Sequence, residues 1–153
     1  MMQKNVFLGL GSNLGEREAY LEDAIARLCA HPEIKVLARS AMMQTEPVGN
    51  VSQPMFLNMA IEIETSLSPE NLLASCLEIE LANGRERIEK WGARTLDIDI
   101  LFYGDALIIK DGLTIPHPEA HTRIFVLVPL AEIAGKFEHP RLKESISAIL
   151  QRS

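Results

Sequence analysis

Residues 84–102, GRERIEKWGARTLDIDILF, hold the densest set of chemically capable side chains in the sequence. Arg85, Arg87, Lys90 and Arg94 surround the only tryptophan, Trp91, and the chain then enters an apolar run carrying Asp97 and Asp99. Strand side chains have a period of two, so Leu96, Ile98, Ile100 and Phe102 share one face and the aspartates the other. The two carboxylates would lie roughly 7 Å apart on one side of the strand. Aspartate is depleted in strands and like charges on one face repel, so the pattern calls for a reason. A divalent cation would supply one: magnesium takes one or two carboxylates and completes its shell with phosphate oxygens and water. The arginine fork matches phosphate oxygens, so the order of residues suggests a polyphosphate bound with metal ions. The competing reading is a sheet with one wet face and merely solvated aspartates. Four basic residues beside them in an acidic chain favour the phosphate.

Further candidates lie elsewhere. Residues 44–54, QTEPVGNVSQP, form a long loop with two prolines and a glycine, of the kind that often carries function. In the alternating run that follows, Phe56 and Asn58 share a face, an aromatic plate beside an amide that would suit a flat heterocycle. A peripheral core phenylalanine with an adjacent turn asparagine is the plainer reading of those two alone. His117 is held between Pro116 and Pro118 with its ring displayed, although a lone histidine is more often structural. Glu80, just before the basic segment, reads first as an ion-pair partner and second as a site residue. GSNLG near the start resembles a phosphate cradle, but lacks both the Lys-Ser/Thr ending of a P-loop and dinucleotide spacing.

The elements that must position these groups follow from periodicity. Residues 5–10 read as a buried strand, and Ser12 or Asn13 as the cap of a helix with Tyr20, Leu21, Ala24, Ile25 and Leu28 on its apolar face. Residues 34–43 and 55–65 read as strands. Ser68-Pro69-Glu70 starts a second helix that stops at Asn83-Gly84. After the aspartate strand come a short strand at 106–109, an extended stretch at 113–116, a buried stretch at 126–130 and a closing helix at 141–150. The order strand, helix, strand, strand, helix, strand is the split βαβ of a ferredoxin-like α+β sandwich. It predicts an antiparallel sheet with helices on one face, C-terminal additions, and an open face for ligands.

The 153 residues suit a single domain, 1–153. Hydrophobic residues make up 47% and charged residues 24%, as in ordinary globular proteins. With 15 Lys plus Arg against 21 Asp plus Glu, the net charge of −6 argues against a nucleic-acid or anionic membrane surface. Cys29 and Cys76 sit in amphipathic patterns without metal spacing and are expected in the core, reduced. No apolar run is long enough for a membrane span or signal peptide, so the expectation is cytoplasmic.

GSNLG, TEPVG, QPMFLN, GRER, WGARTLDIDIL, IPHP and RIFVLVPL, in this order from Leu8 to Leu130, resemble the 6-hydroxymethyl-7,8-dihydropterin pyrophosphokinases of the folate pathway. The stretch at 90–101 is the most specific. Ala93 stands where the family often has proline, and Glu119 where it often has a basic residue. The resemblance implies transfer of the β,γ-pyrophosphoryl group of ATP to the pterin hydroxymethyl oxygen, releasing AMP. It implies two Mg²⁺ ions on Asp97 and Asp99, with Arg85 and Arg94 catalytic beside them. ATP would meet Arg85, Arg87, Trp91, Arg94, Ile100, His117 and Arg123. Phe56 and Phe125 would sandwich the pterin, Asn58 would read its polar edge, and the loop with Thr45, Val48 and Gly49 would add backbone contacts. The two mobile lids of the family correspond to residues 45–54 and 83–93. Such a protein would be a monomer or weakly associated, with small-molecule partners only. A metabolite-sensing ferredoxin-like module and a different magnesium-dependent nucleotidyl or phosphoryl transferase are the alternatives.

Overall fold

A computed structural model describes residues 2–45, 55–84 and 95–153. Its main strands are β1 (Gln3–Ser12), β2 (Ile34–Arg39), β3 (Met43–Thr45), β4 (Phe56–Thr65) and β5 (Asp97–Tyr103), with helices α1 (Arg17–Ala30) and α2 (Pro69–Ala82) between them. A two-stranded ribbon, β6 (Ile108–Lys110) and β7 (Leu113–Ile115), precedes α3 (Ile124–Ala134) and α4 (Ile146–Gln151). The sheet order is β2-β4-β1-β5, antiparallel throughout, with β3 continuing the β2 edge of β4. This is the expected ferredoxin-like arrangement.

One face of the sheet is sealed by α1 and α2. Leu21, Ala24, Leu28, Leu72 and Cys76 pack on the inward residues of β1, β4 and β5, among them Leu8, Leu10, Met59, Ile61, Ile98 and Ile100. Apolar residues every three or four positions on the helices meet every second residue of the strands. The α2 start is as read: the Ser68 hydroxyl accepts the Asn71 N–H at 3.1 Å, and Pro69 opens the helix. Its end at Asn83 is followed by Gly84 at φ +77°, a conformation glycine adopts without steric cost. The α1 start differs from expectation. Ser12 stays in β1, paired with Leu57, and Glu16 caps the helix without a side-chain bond.

The second face is only half open. There α3, α4 and the chain between them cover a cluster of Phe7, Ala60, Leu101, Phe102, Leu127, Leu130, Ile146 and Ile149. Phe137 lies 4.9 Å from Phe7 and 5.1 Å from Phe102, ring centre to ring centre, so three aromatic rings fill this layer. Phe102 thus leaves the face predicted for it. The β1–β5 register shifts between Phe7 and Leu8, pairing them with Phe102 and Ile100, and the extra residue Leu101 breaks the period of two. Other boundaries move too, the strand expected at 106–109 lying at Ile108–Lys110. The run 34–43 divides at Ser40, which is buried and accepts the Ala60 N–H on its hydroxyl at 2.9 Å. The stretch 126–130 belongs to the longer helix α3, which contains Pro129, and the closing helix spans only Ile146–Gln151. Cys76 is buried as expected, whereas Cys29 is exposed. No described helix is long and apolar enough to cross a membrane.

Candidate active site

The open half of the second face is built from paired rows. Gly11 of β1 lies between Asn58 of β4 and Asp97 of β5, and Gly9 lies between Ala60 and Asp99. The central strand therefore contributes no side chain to this floor. Asn58 and Asp97 face each other across a gap of about 10 Å, two strand spacings wide. A Cβ on Gly11 would sit 2.8 Å from the Asn58 side-chain oxygen, so the amide leans over that glycine. Asn58 is held by donating Nδ2–H to the Thr45 hydroxyl at 2.7 Å. Thr45 itself pairs with Phe56 in the β3–β4 ladder, which brings Thr45, Phe56 and Asn58 to one corner. Arg17 ties that corner to α1 by donating to the Met55 carbonyl at 2.7 Å.

Asp97 and Asp99 are partly exposed on the same side as Asn58, while Leu96, Ile98 and Ile100 point into the first core. The period-of-two reading of the acidic pair therefore holds at both positions. Ile100 has its side chain in the core, 6% exposed. The Ile98 N–H turns to the outer edge of β5, and Ile100 shares that parity, so its backbone faces the same edge.

His117 arrives at that edge from the β6–β7 ribbon. Its N–H donates to the Leu101 carbonyl at 3.0 Å, and its Nδ1 accepts the Glu119 N–H at 3.1 Å. An imidazole that accepts at Nδ1 while neutral carries its proton on Nε2, where it can be donated. Burial lowers the His117 pKa below its ordinary 6.5, and the Arg123 charge lowers it further, against opposing pulls from Glu119 and Asp97. That balance means Asp97, Glu119 and Arg123 all lie within electrostatic reach of one ring. Arg123, the residue before α3, pairs with Glu119 four positions back, and its guanidinium carbon lies 5.5 Å from the centre of the Phe125 ring. Glu119 thus holds an arginine of the candidate site.

Residues Arg85, Arg87, Lys90, Trp91, Ala93, Arg94, Val48 and Gly49 lie outside the described residues. Of the remaining candidates, Asp97, Asp99, His117 and Arg123 gather at the β5 side, and Thr45, Phe56 and Asn58 at the β4 side. One contributor escaped the sequence reading, and a second stood in it only as the less favoured alternative. The floor glycines had a signal in their own period of two, Gly9 and Gly11. The other is Glu80, 5% exposed, whose carboxylate accepts the Ile98 N–H at 2.8 Å. Nothing local in the sequence links positions 80 and 98. Burial pushes the nearby Cys76 thiol up to about 12, with Glu80 and Asp99 adding to the effect, so that thiol is inert.

Fold and face together define a ferredoxin-like α+β protein whose sheet places two carboxylates and an amide beside a glycine floor, with a histidine at its edge strand. Residues 7–135 match the family described as 7,8-dihydro-6-hydroxymethylpterin-pyrophosphokinase, and the chain belongs to that family. It is 50% identical over 128 residues to a 2-amino-4-hydroxy-6-hydroxymethyldihydropteridine pyrophosphokinase of Methylorubrum extorquens, covering 84% of this chain and 81% of that one. A Bacillus subtilis protein of the same name is 45% identical over 147 residues, covering 96% and 86%. Among solved structures, Plasmodium falciparum HPPK-DHPS with pterin and p-hydroxybenzoate superimposes with a TM-score of 0.78 at 16% identity. That match covers 99% of this chain but 43% of the other, so the chain spans less than half of it, and at that identity the likeness concerns the fold.

Proposed function

We propose that this chain transfers the β,γ-pyrophosphoryl group of ATP to the hydroxymethyl oxygen of 6-hydroxymethyl-7,8-dihydropterin, giving the pterin diphosphate and AMP for folate synthesis. Family membership supports the reaction. The observation that carries its assignment to this face is the row Asn58-Gly11-Asp97, a heterocycle reader and an acid facing each other across a side-chain-free floor. Phe56 and Phe125 flank the pterin, Asn58 reads its polar edge with Thr45 behind it, and Val48 and Gly49 add backbone contacts. Arg85, Arg87, Trp91, Arg94, the Ile100 backbone, His117 and Arg123 receive ATP.

The residues fit two magnesium ions arriving with the nucleotide. Asp97 and Asp99 are hard oxygen donors on one face, and no group of three or more His, Cys, Asp or Glu suited to a metal occurs among the described residues. Magnesium needs no larger protein cage, because substrate phosphates and water complete its shell. When bound on Asp97 and Asp99, the ions supply neutralisation of the triphosphate charge.

The protein's own groups then do three things. The glycine floor and the aromatic rings align the pterin alcohol with the β-phosphorus, replacing a chance encounter with a fixed approach. His117 donates its Nε2 proton as a hydrogen bond to a phosphate oxygen, and Arg85, Arg94 and Arg123 offset the charge that develops there. The oxygen–phosphorus bond forms as the bond to the AMP oxygen breaks, and the alcohol proton leaves to solvent without an assigned base. The chain 1–153 acts as one pyrophosphokinase domain in the cytoplasm, a monomer or a weakly associated one, with small-molecule partners and no nucleic acid or membrane surface. Incubation with MgATP and 6-hydroxymethyl-7,8-dihydropterin tests the reaction: AMP supports it, ADP indicates a simple kinase, and no product indicates a binding module.

A further inference from the structure

Glu80 joins two elements that are distant in the sequence. It lies in the last turn of α2 and is buried, and one of its oxygens accepts the N–H of Ile98, the residue between the two aspartates. Among the described residues β5 is the outermost strand of the sheet at this point, so that amide has no described strand partner on its outer side. A glutamine would accept the same bond through its side-chain oxygen. A charged acceptor, however, makes a shorter bond, roughly twice as strong as a neutral one, and so holds the amide to a narrower range of positions.

We infer that Glu80 is a positioning residue: anchored in α2, it fixes the edge strand at Ile98 and thereby sets where the carboxylates of Asp97 and Asp99 point. The two acids sit on neighbouring turns of the strand pleat with Ile98 between them. Rotation of this one peptide swings both, and a bond from the rigid helix suppresses it. The inference rests on the proposed use of Asp97 and Asp99 and adds a residue that touches neither substrate.

The test compares E80A and E80Q with the wild type. Hydrogen exchange read by NMR should find the Ile98 amide protected in the wild type and in E80Q. In E80A it should exchange at least about tenfold faster while the amides of Leu8 and Met59 in the central strands keep their protection. In steady-state kinetics E80A should lower kcat about tenfold or more, with dihydropterin affinity within about twofold of wild type, and E80Q should restore at least about a third of kcat. An Ile98 amide unaffected in E80A, or E80Q as impaired as E80A, overturns the positioning role. If the wild type forms no AMP, the reaction reading fails, and the exchange comparison alone decides whether Glu80 holds the strand.

Discussion

Replacing Gly11 by alanine probes the site floor with a single methyl group. The added carbon would lie 2.8 Å from the Asn58 oxygen, while its next neighbours, Asn58 Cγ and the Leu57 carbonyl, stand at 3.8 Å. Among the described residues the Asn58 amide is thus the sole obstacle, and Gly11 is not among the residues with left-handed backbone, so alanine can adopt its conformation. Asn58 must swing away, losing its 2.7 Å bond to Thr45 at a cost of about 1 kcal/mol. The smaller entropy of the unfolded alanine chain returns about 0.4–1 kcal/mol. Folding stability should therefore hardly change. The displaced amide would also lose the bonds to the pterin proposed for it, and two such bonds at about 0.5–1.5 kcal/mol each amount to roughly a 5- to 150-fold loss of affinity. Calorimetric titration with a non-reactive pterin analogue, alongside thermal melts, reads both quantities. A G11A protein that binds the analogue within about twofold of wild type would refute the floor assignment. The cycle with N58A sharpens this: in the N58A background the glycine change should have little further effect, because both act through one amide.

Changing either Asp97 or Asp99 to alanine should abolish detectable AMP formation while the protein still melts cooperatively; near-normal turnover in either variant removes the metal assignment. Glu119→Gln should free Arg123 for phosphate and lower the KM for ATP several-fold at low salt, the gain shrinking near 0.5 M salt as screening sets in, by roughly the Debye scale. Its thermal midpoint should stay put, because so exposed a pair contributes about 0–1 kcal/mol. Acid should destabilise the fold through His139, whose pKa is lowered below 6.5 by burial first and then by His121 and Arg141. The unfolded chain binds the proton near 6.5 and the folded chain only at lower pH, so stability falls as pH drops through that window, by up to about 1.4 kcal/mol per unit for one group. His139→Asn keeps an acceptor for the Arg141 and Leu142 N–H groups and should flatten the limb between pH 7 and 5 in urea titrations. An unchanged limb assigns the acid sensitivity to other groups.

Much of this architecture was legible because its signals are local. Asp97 and Asp99 against Ile98 and Ile100 is a two-residue period, and Ser68-Pro69-Glu70 and Asn83-Gly84 are helix ends written in adjacent residues. What escaped depends on partners far along the chain. The shift at Leu101 exists only opposite Phe7, and the single period assumed through Phe102 put that ring on the wrong face. Helix α3 is apolar almost all round and contains Pro129, so it shows no polar stripe and carries a helix breaker. Glu80 reads like any acid on a helix until its partner amide, 18 residues on, is known.

The boundary of the candidate site follows from three substitutions of side chain along neighbouring strands. Moving along the open face, β1 passes from Gly11 and Gly9 to Phe7, β4 from Asn58 to Ala60 and Glu62, and β5 from Asp97 and Asp99 to Leu101. Where β1 offers glycine the face stays low and polar; where it offers phenylalanine, Phe102 and Phe137 stack against it and α3 and α4 close over them. The C-terminal helices thus serve the site indirectly. They bury the apolar end of a sheet face that would otherwise be exposed, and the first turn of α3 carries Phe125 directly after its capping residue Arg123. The same packing that closes half of the sheet therefore anchors the helix whose start carries a cation and an aromatic ring.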